Sequence, residues 1–331
     1  MSIELIASNV QSGNVSIDTL NEFESAILSD KSVTKAGVAR ENLMTLLFFL
    51  DKCSRRAGIN LLKTLKSNYI KSSTDEDNQI FTIMMGIDYF KLYPHLLFSK
   101  KQRSAYMFDA WPKNHDSIFN LIEDFKMDHI FFSSSQVAAI FNKRLNKGIA
   151  HWIPEAIDPY EYKQLPYEEK TIDILALGRR YELYHEKIQT HFDNSDRIYL
   201  YEKTKGQLIF PSRKEFIEGL AKSKISICVP SNITHPERSG DIETMTVRYL
   251  QSIASKCLIV GHAPKEMIEL FGYNPVIEMD INKPVEQLDA ILDNYNDYMP
   301  LIEKNYEAAL NNHTWQHRWK QIKDILIKKK K

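Results

Sequence analysis

The residues best suited to chemistry lie between Thr234 and Gly261, in the stretch THPERSGDIETMTVRYLQSIASKCLIVG. Pro236, Ser239 and Gly240 read as a loop, and Asp241 as the cap of a helix expected to begin at Ile242. Ile242, Met245, Tyr249, Leu250, Ile253 and Ala254 recur at helical spacing, while Thr244, Arg248, Gln251 and Ser255 share the other side. A helix start after a small-residue loop favours anions, because its N–H groups and its dipole both point at negative charge. Arg248, about one turn inside, adds a planar fork for phosphate oxygens. An amphipathic surface helix with ordinary capping fits the same features.

The elements that must position this stretch follow a regular rhythm. Cys257 to Val260 is an apolar run closed by Gly261, as expected of a strand covered on both faces. Similar runs occur at 3–7, 79–85, 104–108, 129–132 and 149–153, and again at 171–177, 196–201, 224–229 and 275–279. Helical patterns separate them, including 17–28, 41–56, 116–125, 136–145, 183–191, 212–221 and 285–294. Alternation of this kind predicts parallel α/β sheets, whose ligands gather at the carboxyl ends of the strands. Asp88, Asp109 to His115, Ser133 to Ser135, Pro154 to Pro159 with Glu155, and Gly178 to Tyr181 fall on that rim. Prolines at 154, 159 and 166 mark a linker in which Asp158 reads as a turn former. The expected plan is a first domain over 1–155, a linker over 156–168, a second domain over 169–312, and a terminal helix with a basic tail over 313–331.

Composition narrows the class. The 331 residues are 43% apolar and 26% charged, enough for two globular domains of about 150 residues each. With 43 basic and 43 acidic residues the net charge is zero, which disfavours a broad nucleic-acid surface. Cys53, Cys228 and Cys257 are few, odd in number and widely spaced, so they read as thiols of a reducing compartment, without zinc spacing. MSIELIASNV has no basic n-region, so no signal peptide is expected. The longest apolar run, Leu43 to Leu50, falls well short of the roughly 20 residues of a bilayer span. A cytoplasmic protein, soluble or peripheral at the inner face of the membrane, is expected.

Thr246-Val-Arg248-Tyr-Leu-Gln251-Ser-Ile-Ala254-Ser-Lys256-Cys-Leu-Ile-Val260 resembles the nucleotide-sugar-binding half of GT-B glycosyltransferases. The resemblance is closest to the group-1 and CgeB-like (spore maturation) branches and their pattern T-x-R-x-x-E-A-x-A-x-G-x-L-x-V. Further motifs lie in the family's order along the chain: the linker WIPEAIDPY, the Gly178-Arg179-Arg180 turn after a strand, and a late His313-Thr-Trp start to the last helix. The resemblance implies two Rossmann-like domains with parallel sheets facing across a cleft. Its donor half covers about 150–322, and over 1–149 the likeness is architectural.

In the implied activity, a sugar leaves a UDP- or GDP-linked donor for a glycan or lipid-linked acceptor, in a setting such as bacterial surface-polysaccharide synthesis. No cofactor and no metal are implied, the diphosphate being neutralised by cations and helix starts. Carried over residue by residue, Arg180 and Lys187, with Arg179 beside them, face the diphosphate after Gly178. Glu243 contacts the donor sugar, and Gln251 stands where a second acidic residue would hold the ribose. Ser239, Gly240 and the N–H groups of Glu243 and Thr244 cradle the sugar or distal phosphate, and Tyr201 and Ser231 lie near the base. On the acceptor side Asp109 and His115 are the candidate general bases, with Asp88 behind them and Trp111 as a stacking surface. The C-terminal lysines leave a weak contact with an anionic membrane open. Two rival readings remain, a GT-B sugar-nucleotide epimerase and a non-catalytic nucleotide-binding partner of a transferase.

Overall fold

The computed structural model describes residues 2–7, 18–36, 74–86, 99–178, 180–204 and 206–328. The helix expected over 41–56, and with it Cys53, Asp88, Arg179 and the last three lysines, lie outside the described residues. Contacts divide the chain into one unit of Met1–Val10, Phe23–Ile153 and Trp319–Lys331, and a second of Gln11–Glu22 and Pro154–Arg318. The sequence had set 313–331 apart as a terminal element, whereas contacts group Trp319 onward with the first unit.

The first unit is built on a parallel sheet of β1 (Ser2–Ile6), β2 (Val33–Lys35), β3 (Asp75–Met85), β4 (Lys101–Phe108), β5 (His129–Phe132) and β6 (Ala150–Trp152). Its order is β2-β1-β3-β4-β5-β6. Parallel neighbours need crossovers, and helices α2 (His115–Asp124) and α3 (Ser135–Leu145) supply those from β4 to β5 and from β5 to β6. The chain before β2 carries α1 (Asp18–Leu28). Asn146 ends α3 in the left-handed region, at φ 53°, where an asparagine costs less than most side chains. Central β4 is buried from Arg103 to Phe108, which is why it reads as a continuous apolar run rather than an alternating one. His129 Nδ1 and His151 Nε2 bond each other at 3.0 Å on the outer strands.

The chain's last helix, α8 (Trp315–Ile327), contributes its residues from Trp319 onward to this unit. The Trp319 ring packs on Phe81 with centroids 5.4 Å apart. Its indole N–H donates to Asp30 at 2.9 Å, and Lys323 donates to the same oxygen at 2.7 Å. Burial works against the Asp30 charge, but the bonds from Lys323, Ser32 and Trp319 outweigh it and hold this carboxyl well below the usual range. A depressed carboxylate stabilises the fold above its unfolded value of about 3.9 and loses that contribution as pH falls through the folded value. Asp30→Asn should therefore lower the denaturation midpoint at neutral pH, and the gap from wild type should shrink in acid. Urea titrations at several pH values read this directly.

The second unit holds β7 (Ile172–Ala176), β8 (Tyr199–Tyr201), β9 (Ser223–Cys228), β10 (Leu258–Gly261) and β11 (Ile277–Glu278), all parallel, in the order β11-β10-β9-β7-β8. Side chains alternate between two cores. Leu175, Cys228 and Ile259 enter one, with α6 (Val247–Ala254) packed over them. Ile174, Ile225, Ile227, Leu258 and Val260 enter the other, with α4 (Glu182–Asp193) and α7 (Pro284–Asp293). Burial on both faces explains the unbroken apolar strands of this half. Helix α5 (Arg213–Ala221) opens with a reciprocal cap between Ser212 and Glu215. Asp158 accepts from the Tyr160 N–H at 3.1 Å and caps a single helical turn, which is the turn-former role. Among the described residues no helix is long and apolar enough to cross a membrane.

Candidate functional site

The strand order of the second unit reverses at β7, since the chain lays β8 on one side of it and β9 on the other. Ligands of open parallel sheets bind outside the carboxyl ends at such a reversal. Gly178 leaves β7 with φ 72°, a conformation that suits glycine. A Cβ there would also press on the Arg248 guanidinium at 3.4 Å. Arg248, in the first turn of α6, donates Nη1 to Leu177 O at 2.8 Å and reaches Val229 O at 3.5 Å. It thereby spans the carboxyl ends of β7 and β9. Arg180 donates Nη1 to Glu202 O at 2.9 Å beyond β8, pairs Nε with Glu182 at 3.0 Å, and lies 5.9 Å from the Tyr201 ring centre. Two guanidinium groups thus stand on the rim at the reversal point.

Lys187 is directed elsewhere, donating to Ile281 O at 2.6 Å beyond β11. Tyr201 directs its hydroxyl to Asp193 at 2.9 Å, so its ring rather than its hydroxyl faces Arg180. A void beneath Arg180, walled by Ala176, His185, Tyr199 and Val229, measures about 10 Å³. That is room for at most one water, so a nucleotide would have to lie outside it.

Between β9 and α6 the chain makes two single turns, Ser231–Thr234 and Pro236–Ser239, and then Gly240 at φ 55°, ψ −135°. Ser239 donates its hydroxyl to His235 O at 3.1 Å. Four buried polar atoms here have no hydrogen-bond partner: Ser231 Oγ, Asn232 Oδ1, His235 Nδ1 and Thr246 Oγ1. Buried polar groups are nearly always paired, so such a cluster at a candidate site indicates groups awaiting a ligand or solvent.

The helix expected to begin at Ile242 begins instead at Val247, with Thr246 before it. The cause is two carboxylates remote in sequence. Buried Glu266 accepts from Thr244 Oγ1 at 2.6 Å and from the Met245 N–H at 2.7 Å. Buried Glu155 accepts from the Val247 N–H at 2.6 Å. Their bonds hold 242–246 non-helical, and the negative charge favoured at a helix start is already Glu155. The open anion site expected at this helix is therefore closed, and the Thr244 hydroxyl is committed to Glu266.

Glu243 accepts from His262 Nε2 at 3.0 Å, and His262 Nδ1 bonds Glu278 at 2.7 Å. Gln251 is buried and donates to Tyr162 Oη at 3.2 Å. Tyr162 donates in turn to Glu22 at 3.0 Å, and Glu22 also receives Arg213 at 2.9 Å. The expected ribose position is thus part of the packed interior of the unit. Lys256, where the resemblance has glycine, adopts φ 51°, the backbone that makes glycine the usual residue there.

In the first unit Asp109 follows β4 at φ 50°. Trp111 is only 4% exposed, so it packs in the core and offers no open ring face to a sugar, against the stacking expectation. His115 donates Nε2 to Ala110 O at 3.1 Å, which leaves the lone pair of its neutral form on Nδ1. Burial above all lowers the His115 pKa, so it is neutral at neutral pH, as a general base must be. Asp75-Glu76-Asp77 is an Asp-x-Asp triplet, a spacing that can hold a divalent metal, contrary to the expectation that the sequence carries none. It opens the amino end of β3, where Asp75 Oδ2 accepts from Asn78 at 2.8 Å. Among the described residues no group of three acidic, histidine or cysteine side chains could hold a metal ion.

No protein-family model and no curated protein matches the chain. Solved structures do. HepE from Anabaena, in complex with UDP and glucose, superposes with a TM-score of 0.58 over 98% of both chains, at 10% identity. The trehalose-6-phosphate synthase OtsA gives 0.61 over 99% of both, also at 10% identity. TarM gives 0.56 at 11% identity over 82% of this chain, which spans 58% of TarM. The fold is GT-B. At these identities the matches carry the GT-B fold and no branch within it, so the group-1 and CgeB-like resemblance is not confirmed. Within the GT-B frame, Glu266, His262 and Glu278 were missed as site neighbours, and Glu155 was placed on the rim without a role. His262 directly follows β10 and Glu278 ends β11, positions that could have flagged them.

Proposed function

We propose that this chain is a glycosyltransferase that takes a sugar from a UDP-linked donor and passes it to a glycan or lipid-linked acceptor. The observation that carries this reading is the pair of guanidinium groups, Arg180 and Arg248, at the sheet's reversal point beside four unpartnered buried polar atoms. A departing nucleoside diphosphate gains negative charge, and fixed cations at that place lower the barrier by stabilising it. UDP is favoured over GDP because HepE holds UDP and glucose, and a trehalose-6-phosphate protein from E. coli is bound with UDP-2-fluoro glucose, on the same fold. Glu243 is proposed for the sugar, Ser231 for the nucleoside, and Asp109 with His115 for the acceptor hydroxyl. The proposed setting is cytoplasmic and the proposed reaction uses no metal.

Incubation with UDP-glucose, UDP-galactose and UDP-N-acetylglucosamine, with and without oligosaccharide acceptors, tests it. Acceptor-dependent release of UDP is the expected result. A changed sugar without acceptor would indicate an epimerase. Binding without transfer or hydrolysis would favour a non-catalytic partner, the reading to which the buried Gln251 and the closed helix start lend weight.

A further inference from the structure

The proposed donor site includes a three-membered chain of side chains in which only Glu243 has a task so far. His262 follows β10, Glu243 precedes α6, and Glu278 ends β11. Each imidazole nitrogen faces a carboxylate oxygen, at 3.0 Å on Glu243 and 2.7 Å on Glu278. Ionised carboxylates only accept, so both contacts are satisfied together only when both nitrogens carry hydrogen, that is, by imidazolium. We infer that His262 is a positioning residue for the donor sugar: braced on Glu278, it fixes the Glu243 carboxylate in the orientation that receives the sugar hydroxyls. The inference rests on the donor reading above.

The brace is itself anchored. The His262 N–H donates to Cys228 O at 3.0 Å, and its carbonyl accepts from the Tyr249 hydroxyl at 2.6 Å. A carboxylate has about four acceptor directions, and the His262 bond takes one of those on Glu243. The Glu243 side chain is 16% exposed and that of Glu278 56%, so the inner carboxylate is the one held and the outer one is the prop.

The titratable groups that face His262 are Glu243, Glu278 and Tyr249. Burial pushes the Tyr249 hydroxyl well above its usual value, so it stays neutral. Burial disfavours the imidazolium, but the Glu278 and Glu243 contacts outweigh it and raise the His262 pKa. With a raised histidine, the hold on Glu243 is complete below the ordinary value of about 6.5 and is lost as pH rises through the folded value.

The test uses the full chain, calorimetric titration with UDP-glucose and with UDP from about pH 6 to about 9, and NMR titration of the His262 imidazole. Wild type should lose about tenfold in UDP-glucose affinity as the imidazole titrates, while UDP changes little. His262→Ala should start about tenfold weaker for UDP-glucose and show no such step. His262→Gln, whose amide can donate to one carboxylate but cannot titrate, should regain part of the affinity and also lack the step. Glu243→Gln should lower the imidazole pKa. If His262→Ala tracks wild type at every pH, or the imidazole titrates at or below its ordinary value, the inference is overturned while the donor reading stands. If wild type binds neither UDP-glucose nor UDP, both fall together.

Discussion

Arg248→Ala is expected to weaken UDP binding and slow turnover about a hundredfold. The guanidinium packs against Gly178 and reaches the last carbonyls of β7 and β9, so it is held in place before any ligand arrives. Preorganised charge of this kind costs no reorientation in the transition state, which is why its removal is felt more in turnover than a mobile surface cation would be. Two further variants separate charge from shape. Arg248→Lys keeps the charge but loses the fork, and should recover only part of the loss. Arg180→Ala should cost on the same order, since it removes the second rim cation. Lys187→Ala is expected to have a much smaller effect, because that ammonium is turned to Ile281 O. Arg248→Ala should also lower stability by about 1–3 kcal/mol, because partly buried carbonyls lose a charged donor. Calorimetry with UDP and steady-state UDP release measure the first effects. Unchanged UDP affinity in both arginine variants would remove the site.

Gly261→Ala should be the most damaging single methyl in the second unit. Gly261 pairs with Cys228 where β10 lies on β9, and a Cβ on it would sit 1.8 Å from Cys228 O and 2.7 Å from its carbonyl carbon. Main chain, unlike the end of a flexible side chain, cannot swing aside. The strands must part, which breaks the bond from His262 N to Cys228 O and strains the bond from Met279 N to Gly261 O. A loss of roughly 3 kcal/mol or more is expected, together with a displaced His262 and weaker UDP-glucose binding. Urea unfolding followed by tryptophan fluorescence gives the first quantity. A variant as stable as wild type would show that β10 and β9 do not approach as described.

The fold was largely legible because its signal is local. Strands covered on both faces leave apolar runs such as Cys257 to Val260, and helices leave a 3.6-residue period, so the α/β alternation and the GT-B likeness could both be read. The site was legible only in part. Gly178 and Arg180 closely follow β7, where a strand-end rule finds them, and Arg248 is found by its place on the polar side of an amphipathic helix. The start of α6 was misplaced by five residues because Glu155 and Glu266, 92 and 21 positions away from their partners, take its backbone donors. Periodicity carries no trace of such a remote cap. Trp111 is an aromatic on the expected rim and Gln251 stands at the expected spacing, yet burial turns both into interior packing. Burial of one residue depends on everything folded around it.

The central claim is that the second unit holds a nucleoside diphosphate at the carboxyl ends of its strands, where β7 parts β8 from β9. Hydrogen–deuterium exchange of the full chain with and without UDP tests it most directly. The account predicts new protection over 177–181, 229–235 and 243–249, with little change at the amino ends of the same strands. Protection confined to those amino ends, around 170–172, 222–224 and 255–257, or no protection anywhere at saturating UDP, would contradict it.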